Sequence, residues 1–298
     1  MRSSSLIPMG LALLVGCTPP KGPAKKKEPA LSTKVATPET KPAPAPASVL
    51  ATAPTSAPAL PSDPLVRERV EVTISGVKEQ WTLRWEAPPK PYCDIPEDAM
   101  TCPCDGFGYG EAGSLSLIRE RAGLPKEKLL LDPMFSDGTG PSTSSILLKT
   151  PYQEVDGGYS GDQIKEELTK RKPSTIMDIK DFNQDGLAAE FVLQVNAGPC
   201  GHQQGVLLGV DVKGGPLKVF GGAANPGAPL VLEYSSWFNF LMKSSFDSLE
   251  FGCGDHGSED EMVIHLSIKD GAFVAEEEVF DCTGKDGMRG KSISKKAL

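Results

Sequence analysis

The chain has 298 residues with 31 basic and 39 acidic side chains, a formal net charge of −8 at pH 7. That balance argues against nucleic acid as a partner, because phosphate recognition needs clustered lysine and arginine. No stretch approaches the roughly 20 apolar residues that a membrane-spanning helix requires, so any attachment to a bilayer has to come from another device.

In chain order, the first feature is an apolar run from Leu6 to Val15, preceded by Arg2 and ending in Leu14-Val15-Gly16-Cys17. A charged start, an apolar middle and small residues before a cut form the layout of a secretory signal. The run is too short to span a hydrocarbon layer of about 30 Å as a helix. The four residues Leu14 to Cys17 resemble the lipobox of bacterial lipoproteins. The resemblance implies a signal peptide over residues 1–17, a lipidated Cys17 as the mature N-terminus, and the bilayer itself as a partner through that lipid. Two or more acyl chains give stable anchoring where one holds only marginally. The rival reading is an ordinary cleaved signal peptide. Thr18, rather than aspartate, follows the cysteine. By the sorting habit of some Gram-negative bacteria this leans toward the outer membrane, on its periplasmic or surface side.

Residues 18–64 read as a linker. Proline, alanine, lysine and threonine dominate, as in Lys41-Pro-Ala-Pro-Ala-Pro-Ala47. Such a composition cannot bury enough apolar surface to offset its ordering entropy. Proline biases it toward an extended form of about 3.1 Å per residue, suited to a stalk or a passive tether.

A globular part is expected over residues 65–298, with 24 basic and 36 acidic side chains and hence a net charge of −12. Its patterns are mostly β. Val70, Val72 and Ile74 alternate with polar residues, and so do Trp81, Leu83 and Trp85 beyond Gly76, which reads as a hairpin. Met262, Ile264, Leu266 and Ile268 lead through Asp270-Gly271 to Phe273, a second hairpin with a strong turn signal. Further strands are expected at Ile146–Lys149, Thr175–Ile179, Phe191–Val195, Val206–Val212, Leu217–Phe220 and Leu230–Tyr234. Gln163–Arg171 and Trp237–Lys243 are the helix candidates. The expected fold is mainly β with minor helix, a single disulfide-braced, sandwich or barrel-like sheet domain; the alternative is α+β.

Without Cys17, six cysteines remain: Cys93, Cys102, Cys104, Cys200, Cys253 and Cys282. An even set in an exported chain reads as disulfides. Cys102 and Cys104 flank one proline, so each is expected to find a different partner, with Cys93 a candidate. A thiolate metal site is disfavoured, since zinc pairs are usually spaced Cys-x₂₋₄-Cys.

The segment Asp181-Phe182-Asn183-Gln184-Asp185-Gly186 stands between two expected strands. Calcium takes six to eight oxygens, and side chains at positions 1, 3 and 5 of a tight loop converge on one point. Glycine at position 6 permits the turn, and the carbonyl at position 7 adds a ligand. The segment resembles the Asp-x-Asn-x-Asp-Gly loops of FG-GAP repeats and of dockerin-type calcium motifs. That resemblance implies Ca²⁺ held by Asp181, Asn183, Asp185 and Leu187, with Glu190 completing the shell. It departs from the FG-GAP pattern by placing Ala189 at position 9 and the acid at position 10, and from the EF-hand by Val192 at position 12. One copy only is visible, so the repeats' propeller is not implied. The competing reading is a bare corner whose Asx side chains cap their own backbone.

Three histidines remain to be placed. A bond between Cys200 and Cys253 would gather His202, Asp255 and His256 into a polar cluster able to do acid–base work or hold a metal. The plainer reading is two exposed loop histidines. His265 sits on a strand opposite Ile264 and Leu266 and is expected to face solvent. Gly108-Tyr109-Gly110-Glu111-Ala112-Gly113 matches a dinucleotide fingerprint in letters only, since no strand precedes it. Ser160 lacks the final glycine of a nucleophile elbow. The acidic run Ser258–Glu261 reads as a solvated loop, and Trp237–Leu241 as core rather than ligand groove.

These readings converge on a cell-envelope lipoprotein acting as a non-enzymatic binding or structural module. Its partners would be an envelope protein or a glycan. The alternative is a secreted hydrolase built on His202, Asp255 and His256.

Overall fold

The computed structural model describes residues 63–92, 110–135, 145–148, 172–197, 202–211, 215–269 and 271–298. The signal segment with Cys17, the linker, and Cys93, Cys102, Cys104, Cys200, Ser160 and Gln163–Arg171 lie outside these residues. Among the described residues the fold is mainly β, with fifteen strands and one α-helix.

The first expected hairpin forms from β1 (Val66–Ile74) and β2 (Val77–Trp85). Ile74 pairs with Val77 around Ser75 and Gly76, both at positive φ (51° and 81°). Two such residues make the mirror-image turn whose twist matches that of the flanking strands. β5 (Leu115–Arg121) and β6 (Glu127–Leu130) extend this sheet in the order β1-β2-β5-β6. β3 (Lys90–Tyr92), β4 (Gly110–Gly113) and β7 (Ser145–Leu148) form a small separate sheet. Gly110–Gly113 is therefore strand, not a phosphate-cradling loop.

β8 (Glu190–Ala197) and β9 (Gln203–Gly209) pair antiparallel and make the middle layer. β10 (Lys218–Val219) and β11 (Val231–Glu233) bind successive stretches of the other edge of β9. This middle layer is buried on both faces. Phe191, Leu193, Val206 and Leu208 enter one core with Trp81, Leu83, Trp85, Leu115 and Leu117. Val192 and Leu207 enter a second core with Phe182, Trp237, Phe240, Ile264, Leu266 and Phe273. The near-continuous apolar runs Phe191–Val195 and Val206–Leu208 are the sequence trace of double burial.

The second core is closed by α1 (Tyr234–Leu241) and by the meander β12 (Ser245–Phe251), β13 (Asp260–Lys269), β14 (Ala272–Asp281) and β15 (Ser292–Ala297). The expected hairpin around Gly271 is β13–β14, with Lys269 opposite Ala272. Trp237 and Phe240 are fully buried, so the aromatic run is core. Trp237 Nε1 donates to the Gly205 carbonyl at 3.0 Å, which seats α1 directly on β9.

Thr175–Ile179 is not a strand. Its backbone N–H groups are taken by a side chain instead: Ile176 and Met177 donate to the Glu68 carboxylate at 2.7 and 3.1 Å. Elsewhere a buried pair braces the first sheet. Arg119 donates to both oxygens of Glu79 (2.6 and 2.9 Å) and to the Gly215 carbonyl (2.5 Å), so neither charge is buried without compensation.

Candidate functional site

The Asp181 loop is closed at its base by a two-bond bridge between Lys180 and Glu190 (2.8 and 3.0 Å). Inside it the side chains bind backbone N–H groups. Asp181 accepts from Asp185 and Gly186, each at 3.0 Å. Asn183 Oδ1 accepts from Asp185 at 3.0 Å, and Asp185 Oδ1 accepts from Leu187 at 2.9 Å. Gln184 and Gly186 adopt positive φ (54° and 89°), which curls the backbone around these acceptors. Phe182 anchors the loop in the second core, edge-on to Phe238 with ring centres 5.6 Å apart. Gln184 Nε2 donates to the Lys243 carbonyl at 2.7 Å, just beyond the end of α1.

The departure from the FG-GAP pattern has a packing cause. Ala189 at position 9 is fully buried in the first core, where a carboxylate would be desolvated. Strand alternation turns the next residue, Glu190, to the loop side. Glu190 is fully buried, and its Oε2 accepts the Phe182 N–H at 3.0 Å. Its Oε1 is buried with no hydrogen-bond partner among the described residues. Burial pushes the Glu190 carboxyl up to about 9, the Phe182 N–H opposes that rise, and the charges of Asp185 and Asp181 add to it. Three acids thus share one small space, one of them with an orphaned oxygen. The donor set is all oxygen, which fits a hard cation. Among the described residues, no three His, Cys, Asp or Glu side chains already stand in a metal-binding arrangement. The loop acids are oriented by their bonds to the backbone. Leu187 packs its side chain against the first core, and its carbonyl is the atom that the resemblance assigns to the ion.

The histidine cluster assembles in part, and without the Cys200–Cys253 bond that would have gathered it. Cys253 pairs with Cys282, not with Cys200, because β13 and β14 bring the flanks of the meander together. His202 and Asp255 nevertheless meet, with His202 Nε2 3.0 Å from Asp255 Oδ2. The other ring nitrogen lies 3.6 Å from Glu233 Oε2. His256 has its backbone in the short 3₁₀ turn Asp255–Gly257. Behind the imidazole, Glu250 Oε1 accepts from Ser248 Oγ (2.5 Å) and from the Glu233 N–H (3.1 Å). Burial raises the Glu250 carboxyl, and the Glu233 charge adds to it. Ser248 and Ser236 are buried and bonded to each other at 2.7 Å, so neither hydroxyl faces solvent as a nucleophile. Glu233 and Glu250 carry no sequence signal, since only the pairing of β11 with β9 brings Glu233 beside Gln204 and hence beside His202.

His265 does lie on the face opposite Ile264 and Leu266, yet it is not simply solvated. Its Nδ1 lies 2.8 Å from Asp247 and its Nε2 2.9 Å from Glu278. In the acidic run, Glu259 and Asp260 are exposed, while Glu261 is buried and paired with Arg289. No family model, curated protein or solved structure matches this chain.

Proposed function

We propose that this chain is a lipid-anchored cell-envelope protein whose β domain serves as a non-enzymatic binding or structural module, with Ca²⁺ seated in the Asp181–Glu190 loop. The observation that carries the cation is Glu190. A fully buried carboxyl with an oxygen unpartnered among the described residues is costly, and a cation that takes the place of its proton, held jointly with Asp181 and Asp185, removes that cost. Asn183 and the Leu187 carbonyl complete an oxygen shell. Bound there, calcium would supply no chemistry; it would neutralise three acids and stiffen the corner that joins the two cores. The Cys253–Cys282 bridge supports an oxidising address outside the cytosol, and Cys17 is the residue to which the lipid would attach. The acidic surface supports a protein or glycan partner rather than nucleic acid.

The test has two parts. Calcium added to the EDTA-stripped full chain is expected to raise its Tm, and magnesium at the same concentration to do so far less. Mass spectrometry of the envelope fraction is expected to find an acylated Cys17 at the mature N-terminus. An unchanged Tm at millimolar calcium counts against the loop, and an intact Met1 counts against the address.

One observation favours the hydrolase reading: Asp255 Oδ2 lies 3.0 Å from His202 Nε2, the kind of contact that orients an imidazole for acid–base work. That reading requires a reactive group or bound water beside the imidazole. Loss of hydrolysis of envelope peptides or esters in Asp255→Asn, with wild-type Tm retained, would support it.

A further inference from the structure

A cleft of about 300 Å³ opens on the inner face of the meander. It lies between the loop that enters β11 and strands β12 to β15, away from the Asp181 loop. Its size is at the lower end of small-molecule sites, about 300–1,000 Å³. The walls are apolar, formed by Leu230, Val231, Phe251, Met262 and Ile264. Val231 and Phe251 leave 36% and 41% of their surface exposed at its rim, so a ligand there would cover apolar surface that the fold leaves wet.

Three charged side chains line the same cleft: Glu250, Glu277 and Lys296. Glu250 is committed to the wall, because its Oε1 already accepts from Ser248 and from the Glu233 N–H. Glu277 and Lys296 are different. They are directly opposite each other in the β14–β15 ladder, on the face that carries Phe273 and Ala275 into the second core. Directly opposed side chains start about 5 Å apart. Even so, neither makes a hydrogen bond or ion pair with any described residue. The neighbouring Lys295, on the other face, is paired with both Glu276 and Glu278 (3.2 and 3.0 Å). The same two strands therefore consume their charges on the outer face and leave one of each sign standing in the cleft.

We propose that this cleft binds a small zwitterion with an apolar side chain, that is, a free apolar α-amino acid of about leucine's size. Its carboxylate pairs with Lys296 and its ammonium with Glu277. Its side chain lies against Met262, Ile264 and Phe251. An α-amino acid joins its two charges through one carbon, which matches a cross-strand pair of opposite sign. This gives the binding module a ligand class, and it stands independently of the calcium loop.

The full chain is titrated with L-leucine, 3-methylbutylamine and 4-methylpentanoate by calorimetry. The last two lack the carboxylate and the amine respectively. Leucine is expected to bind, and each truncated compound to bind about tenfold more weakly or worse, as the loss of one charge-assisted contact requires. Lys296→Met and Glu277→Gln are each expected to weaken leucine by a similar factor. Neither residue is bonded to another described residue, so their Tm values serve as folding controls. Val231→Trp, which fills the cleft from its rim, is expected to abolish binding. The proposal is overturned if leucine gives no signal at about 10 mM, if the amine or the acid binds as tightly as leucine, or if the two charge variants bind like wild type. None of these outcomes bears on the calcium shift, which reads the other site.

Discussion

Glu190 presents one carboxyl oxygen to the Phe182 N–H at 3.0 Å and keeps the other buried without a partner among the described residues. This residue joins the loop to the middle layer, since its backbone pairs with Lys180 on one side and Gly209 on the other. Glu190→Gln retains an oxygen for Phe182 and puts an amide where a cation would bind. In wild type, calcium at 100 times its Kd should add about 2.7 kcal/mol, or roughly 5–10 °C in Tm for a domain of this size. In the variant that shift should vanish, while the Tm in EDTA stays within about 3 °C of wild type. Thermal melts with and without calcium check both values, and a retained shift would remove Glu190 from the site.

Gly205 is where α1 touches the sheet. A Cβ there would stand 2.8 Å from Val192 Cγ1 and 2.9 Å from Tyr234 Cδ2, with the Leu193 carbonyl at 3.3 Å. Val192 belongs to the packed second core and cannot simply swing away. Gly205→Ala is therefore expected to cost about 1–3 kcal/mol through overpacking. Urea unfolding would show it as a lower midpoint with an unchanged slope. A loss of near-ultraviolet signal from Trp237 would confirm that the helix has lifted.

The Cys253–Cys282 bridge closes a segment with a sequence separation of 29. By the chain-entropy relation such a loop is worth about 3–4 kcal/mol. The double variant Cys253→Ser/Cys282→Ser is expected to lose that much, with the damage concentrated at the Asp255 end of the meander. Hydrogen exchange should then rise first in residues 252–262. Uniform loss of protection would count against this localisation.

The outer face of the meander carries a pH dependence whose sign follows from two shifts. Asp247, and after it Glu278, hold the His265 pKa above its usual 6.5. That contribution is complete below about pH 6.5 and fades as pH rises through the folded value. Glu278 is held down to about 2 by the Ser292 hydroxyl first, then by Lys295 and His265. Its contribution is present above about 4.5, its ordinary value, and fades as pH falls toward 2. Asp247, Glu276, Glu278 and Lys295 are the charges facing this histidine. His265→Gln should therefore lose most stability relative to wild type below pH 6.5, and the gap should narrow as pH rises through the raised folded value. Denaturant midpoints of both proteins at three pH values test it; a gap that widens with pH would reverse the assignment.

Several parts of the fold were legible because one local period fixed them. The hairpins around Gly76 and Gly271 show alternation on both sides of a turn residue, and both form in register. The apolar runs at Phe191–Val195 and Val206–Val212 were legible as strands, though not as a layer buried on both faces. Less was legible where pairing depends on partners far along the chain. β15, Ser292–Ala297, has every residue exposed and no apolar period to reveal it; β14 supplies its ladder. Thr175–Ile179 has strand-like residues but spends its N–H groups on Glu68, more than a hundred residues away. The pairing of Cys253 with Cys282 could not be chosen among the alternatives by spacing, since only the β13–β14 ladder brings the two sulfurs together.

By itself the sequence determined the β class, the acidic surface and the order of oxygen donors from Asp181 to Glu190, because alternation, charge and loop chemistry act over a few residues. Tertiary structure alone decided that the Glu190 carboxyl is fully buried with one oxygen unpartnered among the described residues, that His202 meets Asp255 and Glu233, and that Glu277 and Lys296 line one cleft without a partner among the described residues. Each of those depends on which strand lies beside which, and strand neighbours are chosen by burying two cores at once, a condition that no local window contains.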